Sequence, residues 1–194
     1  MRRLPSLAAG FALAAAFVLA LAGAAHAQDK GDLENMLYLE TAHGRVTIKL
    51  RPDLAPNHVA RVKELVRQKF YDGTPFHRVI DGFMAQGGDP TGTGTGGSGK
   101  KIKAEFSKEP FKRGTIGAAR SQNPDSADSQ FFICFTDVSH LNGQYTVWGQ
   151  VVSGMEFVDR IRPGEPPANP DRIVRMTVAA DARTIGAEVR RLRS

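Results

Sequence analysis

The residues best suited to chemistry lie in one segment, F-H-R-V-I-D-G-F-M-A-Q-G-G-D, which covers residues 76–89. Arg78 places a cation inside an apolar run, and Gln86 supplies a neutral side chain that both donates and accepts hydrogen bonds. Phe83 and Met84 are large and apolar. Each of these has an ordinary explanation when taken singly, as a core side chain or a surface charge. Their concentration in one short segment makes these separate explanations less convincing and favours a functional role.

The order of these residues also predicts how a strand would orient them. Alternation along an extended backbone places Met84 and Gln86 on one face and Phe83 on the opposite face, unless the chain bends at Gly82. Gly87-Gly88-Asp89 closes the segment.

Metal and nucleophile chemistry find little support in the sequence. The five histidines lack the H-x-H or H-x-x-x-H spacing of a metal site, and we expect no metal or other cofactor. The single cysteine, Cys134, excludes an intramolecular disulfide and a cysteine-based zinc cluster. It lies in the apolar run Phe131–Phe135 and is expected to be a buried, inert thiol. No G-x-S-x-G nucleophile elbow occurs.

A glycine-rich stretch at 92–99 raises the question of nucleotide binding, because Gly94–Lys100 matches the phosphate-loop pattern G-x-x-x-x-G-K. Lys101 stands where a serine or threonine would hold magnesium, and no apolar strand precedes Gly94. We therefore expect a long surface loop whose glycines permit positive φ angles, and no bound nucleotide.

Composition and charge are those of an ordinary globular protein. Of the 194 residues, 41% are hydrophobic and 24% are charged, which excludes collagen-like and wholly disordered chains. The formal net charge is +6, and it falls to about +4 without Arg2 and Arg3. So small a charge does not predict nucleic-acid binding.

The N-terminus has the pattern of a secretory signal peptide over residues 1–27. Arg2 and Arg3 precede an uncharged stretch at 7–25, and Ala25-His26-Ala27 ends it with the small residues that signal peptidase requires. We expect cleavage before Gln28, a periplasmic location, and no stable membrane insertion afterwards. The alternative is an uncleaved anchor, because the apolar stretch is close to the ~20 residues that a membrane span needs.

The rest of the chain predicts one mainly β domain over residues 36–180, between a polar linker at 28–35 and a basic tail at 181–194. A hairpin at 36–50 is followed by a helix at 57–70, which ends at Asp72-Gly73. Short apolar runs separated by turn residues then predict strands, listed as 76–80, 83–86, 115–119, 131–135, 145–152 and 172–178.

A second short helix is predicted after residue 153, because Ser153-Gly154-Met155-Glu156 matches the S-x-x-E capping box. It precedes Phe157 and Val158 and should end at Pro163-Gly164. Several short strands with two helices favour a closed β-barrel whose ends the helices cover, since closure removes exposed strand edges.

The segment that contains Arg78 and Gln86 resembles the signature of the cyclophilin-type peptidyl-prolyl cis-trans isomerases. The resemblance continues through four further segments in the same order, and it covers roughly residues 36–180. These segments are the glycine-rich stretch at 92–99, G-T-I-G-A-A at 114–119, S-Q-F-F-I at 129–133 and L-N-G-Q-Y-T-V-W-G-Q-V at 141–151. The resemblance to this family implies a closed eight-stranded antiparallel barrel capped by two α-helices.

The resemblance also implies site residues. Arg78 matches the family's active-site arginine and Gln86 its glutamine, and these two are the expected catalytic residues. The substrate-binding positions that carry over are Phe83, Met84, Ala119, Arg120, Phe132, His140, Leu141 and Tyr145.

Three of these positions depart from the best-known eukaryotic members. Arg120 stands where asparagine is common, Tyr145 replaces a histidine, and His140 stands where a tryptophan helps to bind cyclosporin. Isomerase activity should survive these changes, whereas cyclosporin should bind only weakly.

The function implied is the isomerisation of X-Pro bonds in proline-containing, unfolded or partly folded exported proteins, by a monomer that needs no cofactor. Two alternatives stay open. One is a module that binds such segments without useful catalysis. The other is an anchored interaction protein that keeps its leader and uses its basic tail for docking.

Overall fold

The structure, a computed structural model, describes residues 32–182. The predicted leader at 1–27, the first part of the predicted linker at 28–31 and the tail beyond residue 182 lie outside the described residues. Within residues 32–182, no helix is long and apolar enough to cross a membrane.

The described residues form one mainly β domain built on a single antiparallel sheet. Its spatial order is β3-β4-β6-β5-β7-β2-β1-β8. The strands are β1 (Met36–Thr41), β2 (Gly44–Leu50), β3 (Arg78–Ile80), β4 (Met84–Gly87), β5 (Thr115–Ala118), β6 (Phe131–Cys134), β7 (Val147–Ser153) and β8 (Ile173–Val178). Each lies within about two residues of a predicted strand, because period-two alternation and flanking turn residues locate strands locally.

The prediction of a closed barrel was wrong, because the curled sheet stays open between β3 and β8. Among residues 32–182, only isolated bridges span this gap, one pairing Pro75 with Arg172 and one pairing Val79 with Gly164. Pro75 has no amide hydrogen, so it cannot donate to a ladder at that position. The partner segment at 163–170 carries four prolines and cannot supply a regular strand.

The interior of the curled sheet holds the main hydrophobic core. Alternate residues of β1 and β2, such as Leu37, Leu39 and Ile48, are fully buried there. Trp148 of β7 joins them and packs edge-on against Phe131. Strand alternation therefore fixes which side chains face inward.

The first helix, α1 (Pro56–Arg67), closes one end of this core. It buries Val59, Val62, Leu65 and Val66 at helical spacing, as the sequence predicted. It packs against β7 and β8. It ends three residues earlier than predicted, because the chain leaves the helix at Gln68 and Lys69 adopts a φ of 58°.

The side chain of Glu105 caps α1 from a distant loop. Ala55 precedes the helix and offers no side-chain acceptor. The backbone N–H groups of Asn57 and His58 donate instead to Glu105, at 3.0 and 2.9 Å. The His58 ring nitrogen Nδ1 lies 2.6 Å from the same carboxylate.

The second helix, α2 (Met155–Val158), is one turn long and packs against β2. The predicted capping box was wrong, because Ser153 is still part of β7. Gly154 precedes the helix with a φ of 89° and makes no side-chain cap. The turn between β7 and α2 needs a left-handed residue, which moves the helix start beyond the reach of Ser153.

Both ends of the described chain meet on α1. The guanidinium of Arg67 pairs with Glu34 and with Asp181, each at 3.0 Å. Lys63 adds a second contact to Glu34, at 2.7 Å. The described end of the predicted linker and the first residue of the predicted tail are therefore held against the domain.

Candidate functional site

The side chains predicted to do chemistry lie in one row that crosses the sheet. Arg78 on β3 pairs with Gln86 on β4, and Gln86 pairs in turn with Phe132 on β6. Phe132 pairs with Gly117 on β5, and Gly117 pairs with Val147 on β7. Antiparallel register directs paired residues to the same face, so these five strands form one row, in which every position except Gly117 carries a side chain.

This face carries a hydrophobic cluster of its own, distinct from the core inside the sheet. Met84, Phe132 and Cys134 belong to it, together with Leu141 from the loop before β7. Their strand neighbours Ala85 and Ile133 point the other way, into the main core. Cys134 is fully buried, and burial raises the pKa of its thiol to about 12, as expected for an inert cysteine.

Phe83 joins the same face as Met84 and Gln86 through a bend at Gly82. Gly82 has a φ of 69°, and the Phe83 amide donates to the Ile80 carbonyl at 3.0 Å in the resulting turn. Phe83 precedes β4 and escapes the alternation that would have placed it on the opposite face.

Nine of the ten predicted site residues surround one groove of about 110 Å³. Its apolar part sits beside the guanidinium of Arg78 and the amide of Gln86. The lining residues are Arg78, Phe83, Met84, Gln86, Ala119, Arg120, Phe132, Leu141 and Tyr145. The tenth, His140, is exposed and lies beside the groove, with its ring centre 5.7 Å from that of Phe83.

Arg78 is held between two partners. Its Nε donates to Glu165 Oε2 at 2.7 Å, and its Nη1 lies 3.5 Å from Gln86 Oε1. The Arg78 side chain is 42% exposed, so the guanidinium is accessible from the groove. Sequence reasoning missed Glu165, because it sits 87 residues further along the chain in an irregular loop.

Gln86 is oriented by a second glutamine. Its Nε2 donates to Gln130 Oε1 at 2.9 Å, which turns its own Oε1 toward Arg78. Gln130 Nε2 donates in turn to the carbonyls of Gly94 and Gly96, at 3.0 and 2.8 Å. The glycine-rich segment is thus a loop that anchors Gln130, a role that its composition alone did not reveal.

Asp89 holds this glycine-rich loop from within. It is fully buried and accepts from the backbone N–H groups of Thr91, Gly94 and Gly96, and from the Thr91 hydroxyl. Burial alone would raise the pKa of the Asp89 carboxyl, but these hydrogen bonds outweigh it and lower the pKa to about 2. The loop is therefore built around a buried carboxylate.

Arg120 and Tyr145 form the opposite wall of the groove. The Arg120 guanidinium carbon lies 4.4 Å from the centre of the Tyr145 ring. Its Nη2 donates to the Gln144 carbonyl at 2.7 Å, and its Nη1 donates to the Ser121 carbonyl at 2.8 Å. Tyr145 in turn meets Phe132 edge-on at 5.8 Å.

The groove combines an apolar floor with hydrogen-bond donors at its edge. Such a site can hold an apolar ring and stabilise charge that develops on a bond attached to it. Residues 32–182 contain no group of three or more histidine, cysteine or acidic side chains that could hold a metal ion.

Comparisons with known proteins agree with this geometry. A family model described as cyclophilin type peptidyl-prolyl cis-trans isomerase/CLD matches residues 36–178. A probable peptidyl-prolyl cis-trans isomerase of Brucella suis is 52% identical over 187 residues, which cover 88% of this chain and 95% of that protein. A peptidyl-prolyl cis-trans isomerase of Helicobacter pylori is 44% identical and covers 66% of this chain and 80% of its own length.

Solved structures agree as well. A cyclophilin from Hirschia baltica aligns with a TM-score of 0.72 at 29% identity and covers 77% of this chain and 76% of its own. A cyclophilin-type isomerase of Cryptosporidium parvum, solved in the presence of the dipeptide Ala-Pro, aligns at 0.70 and 28% identity. That alignment covers 74% of this chain and 98% of the other. The chain belongs to the cyclophilin-type peptidyl-prolyl cis-trans isomerase family and is an enzyme of that class.

Proposed function

We propose that this protein is exported and accelerates rotation about X-Pro bonds in proline-containing, unfolded or partly folded exported proteins. In this proposal Arg78 stabilises the twisted amide. The observation that carries it is the row of Arg78, Gln86 and Phe132 across three strands, which places a guanidinium beside an apolar pocket.

The reaction needs neither a nucleophile nor a metal ion. Rotation about a peptide bond faces a barrier of about 18–20 kcal/mol because of amide resonance. At X-Pro bonds the cis form lies only about 0.5–1 kcal/mol above trans, yet uncatalysed exchange takes tens to hundreds of seconds. A catalyst must therefore bind the twisted amide more tightly than either planar form.

The groove offers the groups that this task requires. Phe83, Met84, Phe132 and Leu141 hold the proline ring in the apolar pocket. Twisting breaks the amide resonance and leaves a lone pair on the prolyl nitrogen. The Arg78 guanidinium either donates a hydrogen bond to this lone pair or stabilises the neighbouring carbonyl. Gln86 and the backbone near Arg120 hold the flanking peptide while the other half rotates.

Two further observations support the proposal. The Cryptosporidium parvum relative was solved in the presence of Ala-Pro, and the same ligand chemistry fits an apolar pocket flanked by hydrogen-bond donors. The N-terminal pattern of Arg2, Arg3 and Ala25-His26-Ala27 supports export and cleavage before Gln28.

The test is isomerisation of a short X-Pro peptide by the wild type, by Arg78→Ala and by Arg78→Lys, followed by NMR exchange. If Arg78 stabilises the twisted state by about 3–4 kcal/mol, Arg78→Ala lowers kcat/KM by roughly 10²–10³. Lysine keeps the charge without the planar fork, so Arg78→Lys should also lose most of the activity.

Two results would overturn parts of this proposal. A folded wild type that binds proline peptides without catalysis would favour a binding module. Wild-type rates in Arg78→Ala would leave the activity intact and remove the role assigned to Arg78.

Export is tested separately, by the mass of the protein recovered from cells that express the full chain. A chain that begins at Gln28 in the periplasmic fraction supports the proposal. A chain that begins at Met1 in the membrane fraction would favour the anchored interaction protein.

A further inference from the structure

We propose that Glu165 is a positioning residue for Arg78. Its carboxylate fixes Nε of the guanidinium, so that the remaining N–H groups are presented to the groove. The inference rests on the role proposed above for Arg78. It concerns a residue outside the groove lining that the family resemblance did not supply.

The backbone brings these two residues together. Val79 and Gly164 form an antiparallel bridge in which each amide donates to the other's carbonyl at 2.8 Å. Arg78 precedes Val79 and Glu165 follows Gly164, so the two are opposite neighbours across the bridge. The contact between their side chains is therefore fixed by register rather than by a chance encounter of two surface charges.

The loop that carries Glu165 is anchored on both sides. The Arg162 amide donates to Asp171 Oδ2 at 2.9 Å, and the Arg162 guanidinium donates to the Asn169 carbonyl at 3.1 Å. Asp171 accepts from the Phe76 amide through its carbonyl, at 2.9 Å, and lies 3.2 Å from His43 Nε2. The position of Glu165 is thus set without any help from its own side chain.

The guanidinium geometry makes this contact directional. Because the fork is planar and rigid, a hydrogen bond at Nε determines where both Nη groups point. With Glu165 at 2.7 Å on Nε and Gln86 at 3.5 Å on Nη1, the plane of the guanidinium is defined from two sides. Gln86 is the weaker of the two partners by distance, so Glu165 carries most of the orientation.

The Arg78–Glu165 ion pair is not expected to contribute much to the global stability of the protein. The side chains of Arg78 and Glu165 are 42% and 52% exposed, and ion pairs so open to solvent contribute little to folding. Their effect should instead appear in catalysis, because an unheld arginine samples many rotamers and only some of them meet the substrate.

The experiment is a double-mutant cycle on kcat/KM with Glu165→Ala, Arg78→Ala and the double variant, all made in the full chain. Glu165→Ala should lower kcat/KM five- to tenfold, and Glu165→Gln, which keeps an acceptor oxygen, should lower it two- to threefold. In the Arg78→Ala background, Glu165→Ala should produce no further loss. Glu156→Ala, at an exposed acidic residue on α2, should match the wild type.

A spectroscopic readout separates positioning from structural damage. The NMR signal of the Arg78 Nε–H proton can be assigned because it disappears in Arg78→Lys. In the wild type this signal should lie downfield, and the proton should exchange slowly with solvent. Both properties should be lost in Glu165→Ala, while the Tm stays within about 2 °C of the wild type.

The outcomes distinguish this inference from the proposed function. If Arg78→Ala collapses the rate while Glu165→Ala stays within twofold of the wild type, the positioning role is wrong and the proposed function stands. An equal further loss from Glu165→Ala in the Arg78→Ala background would also overturn it. If Arg78→Ala itself is fully active, the proposed role of Arg78 fails and this inference fails with it.

Discussion

Gly117 and Phe132 face each other across β5 and β6, and the Phe132 ring fills the space that a Cβ at position 117 would need. The Phe111 ring also crowds this space and stacks on Phe132, with ring centres 5.6 Å apart. The missing side chain of Gly117 is thus what allows the Phe132 ring to lie where the groove needs its floor.

Gly117→Ala should therefore reduce both stability and catalysis. The added methyl group overlaps Phe132 and Phe111, and overpacking of this kind costs about 1–3 kcal/mol of unfolding free energy. The displaced Phe132 ring should narrow the groove and lower kcat/KM. Urea unfolding and peptide isomerisation provide the measurements.

The matching control for Gly117→Ala replaces the Phe111 ring, one of the two that crowd position 117, with a smaller side chain. Phe111→Leu alone leaves a gap, but combined with Gly117→Ala it should recover part of the lost stability, because the leucine makes room for the methyl group. Strictly additive effects of the two substitutions would show that the two side chains do not compete for this space.

Asp89 should make the unfolding free energy depend on pH in the acid range. Its pKa is about 2 in the folded protein, below its ordinary value of 3.8, so its contribution is complete above pH 4 and is lost as the pH falls toward 2. Linkage gives that contribution as about 2 kcal/mol. Asp89→Asn should lower the unfolding free energy at pH 7, and the difference from the wild type should shrink by pH 3 in urea titrations.

Asp89→Asn should also slow catalysis. Asp89 holds the glycine-rich loop whose carbonyls accept from Gln130, and Gln130 orients Gln86.

The pH dependence of stability can be assigned to Asp89 only if it differs between Asp89→Asn and the wild type. Curves that run parallel from pH 7 to pH 3 would contradict the assignment to Asp89.

Glu105 should act as a remote cap of α1. Burial raises the pKa of its carboxyl, but hydrogen bonds from His58 and from the backbone of Asn57 and His58 outweigh this and leave the pKa lowered. Glu105→Ala should cost about 1–2 kcal/mol at pH 7, and the loss should fade as the pH falls below about 4.5, where the unfolded-state carboxyl protonates. Thermal unfolding across this pH range is the measurement.

A surface acid provides the control for Glu105→Ala. Glu109 makes only a 3.5 Å contact with Arg51, and its side chain is 39% exposed, so Glu109→Ala should change the Tm by less than about 1 °C. If both variants lost the same stability, the cap would contribute nothing beyond a general charge effect.

The cyclophilin resemblance, more than local sequence patterns, identified the residues that line the groove. Arg78, Gln86 and Phe132 lie on strands whose alternation and turn residues are visible in the sequence, but the cyclophilin resemblance assigned them to one site and only the structure shows their pairing. The groove therefore contains nine of the ten predicted side chains. Phe83 was ambiguous because the φ of 69° at Gly82, rather than alternation, decides its face.

Long-range geometry explains what sequence reasoning missed. Glu165 reaches Arg78 only because Gly164 bridges to Val79, and nothing in a run of prolines and polar residues predicts that bridge. The same irregular segment keeps the sheet from closing beside β3. Gln130 was overlooked because its importance depends on the carbonyls of Gly94 and Gly96, which a side-chain pattern does not display.

Arg120 and Tyr145 should be energetically coupled, since the guanidinium lies 4.4 Å from the ring centre. A cycle of Arg120→Ala and Tyr145→Leu, read by urea unfolding, should give a coupling free energy of about 0.5–1 kcal/mol, as expected for a cation–π pair near the surface. Tyr145→Phe retains the ring face and should keep most of that coupling. Independent effects of the two substitutions would mean that Arg120 is held by its bonds to the Gln144, Ser121 and Gln122 carbonyls rather than by the ring.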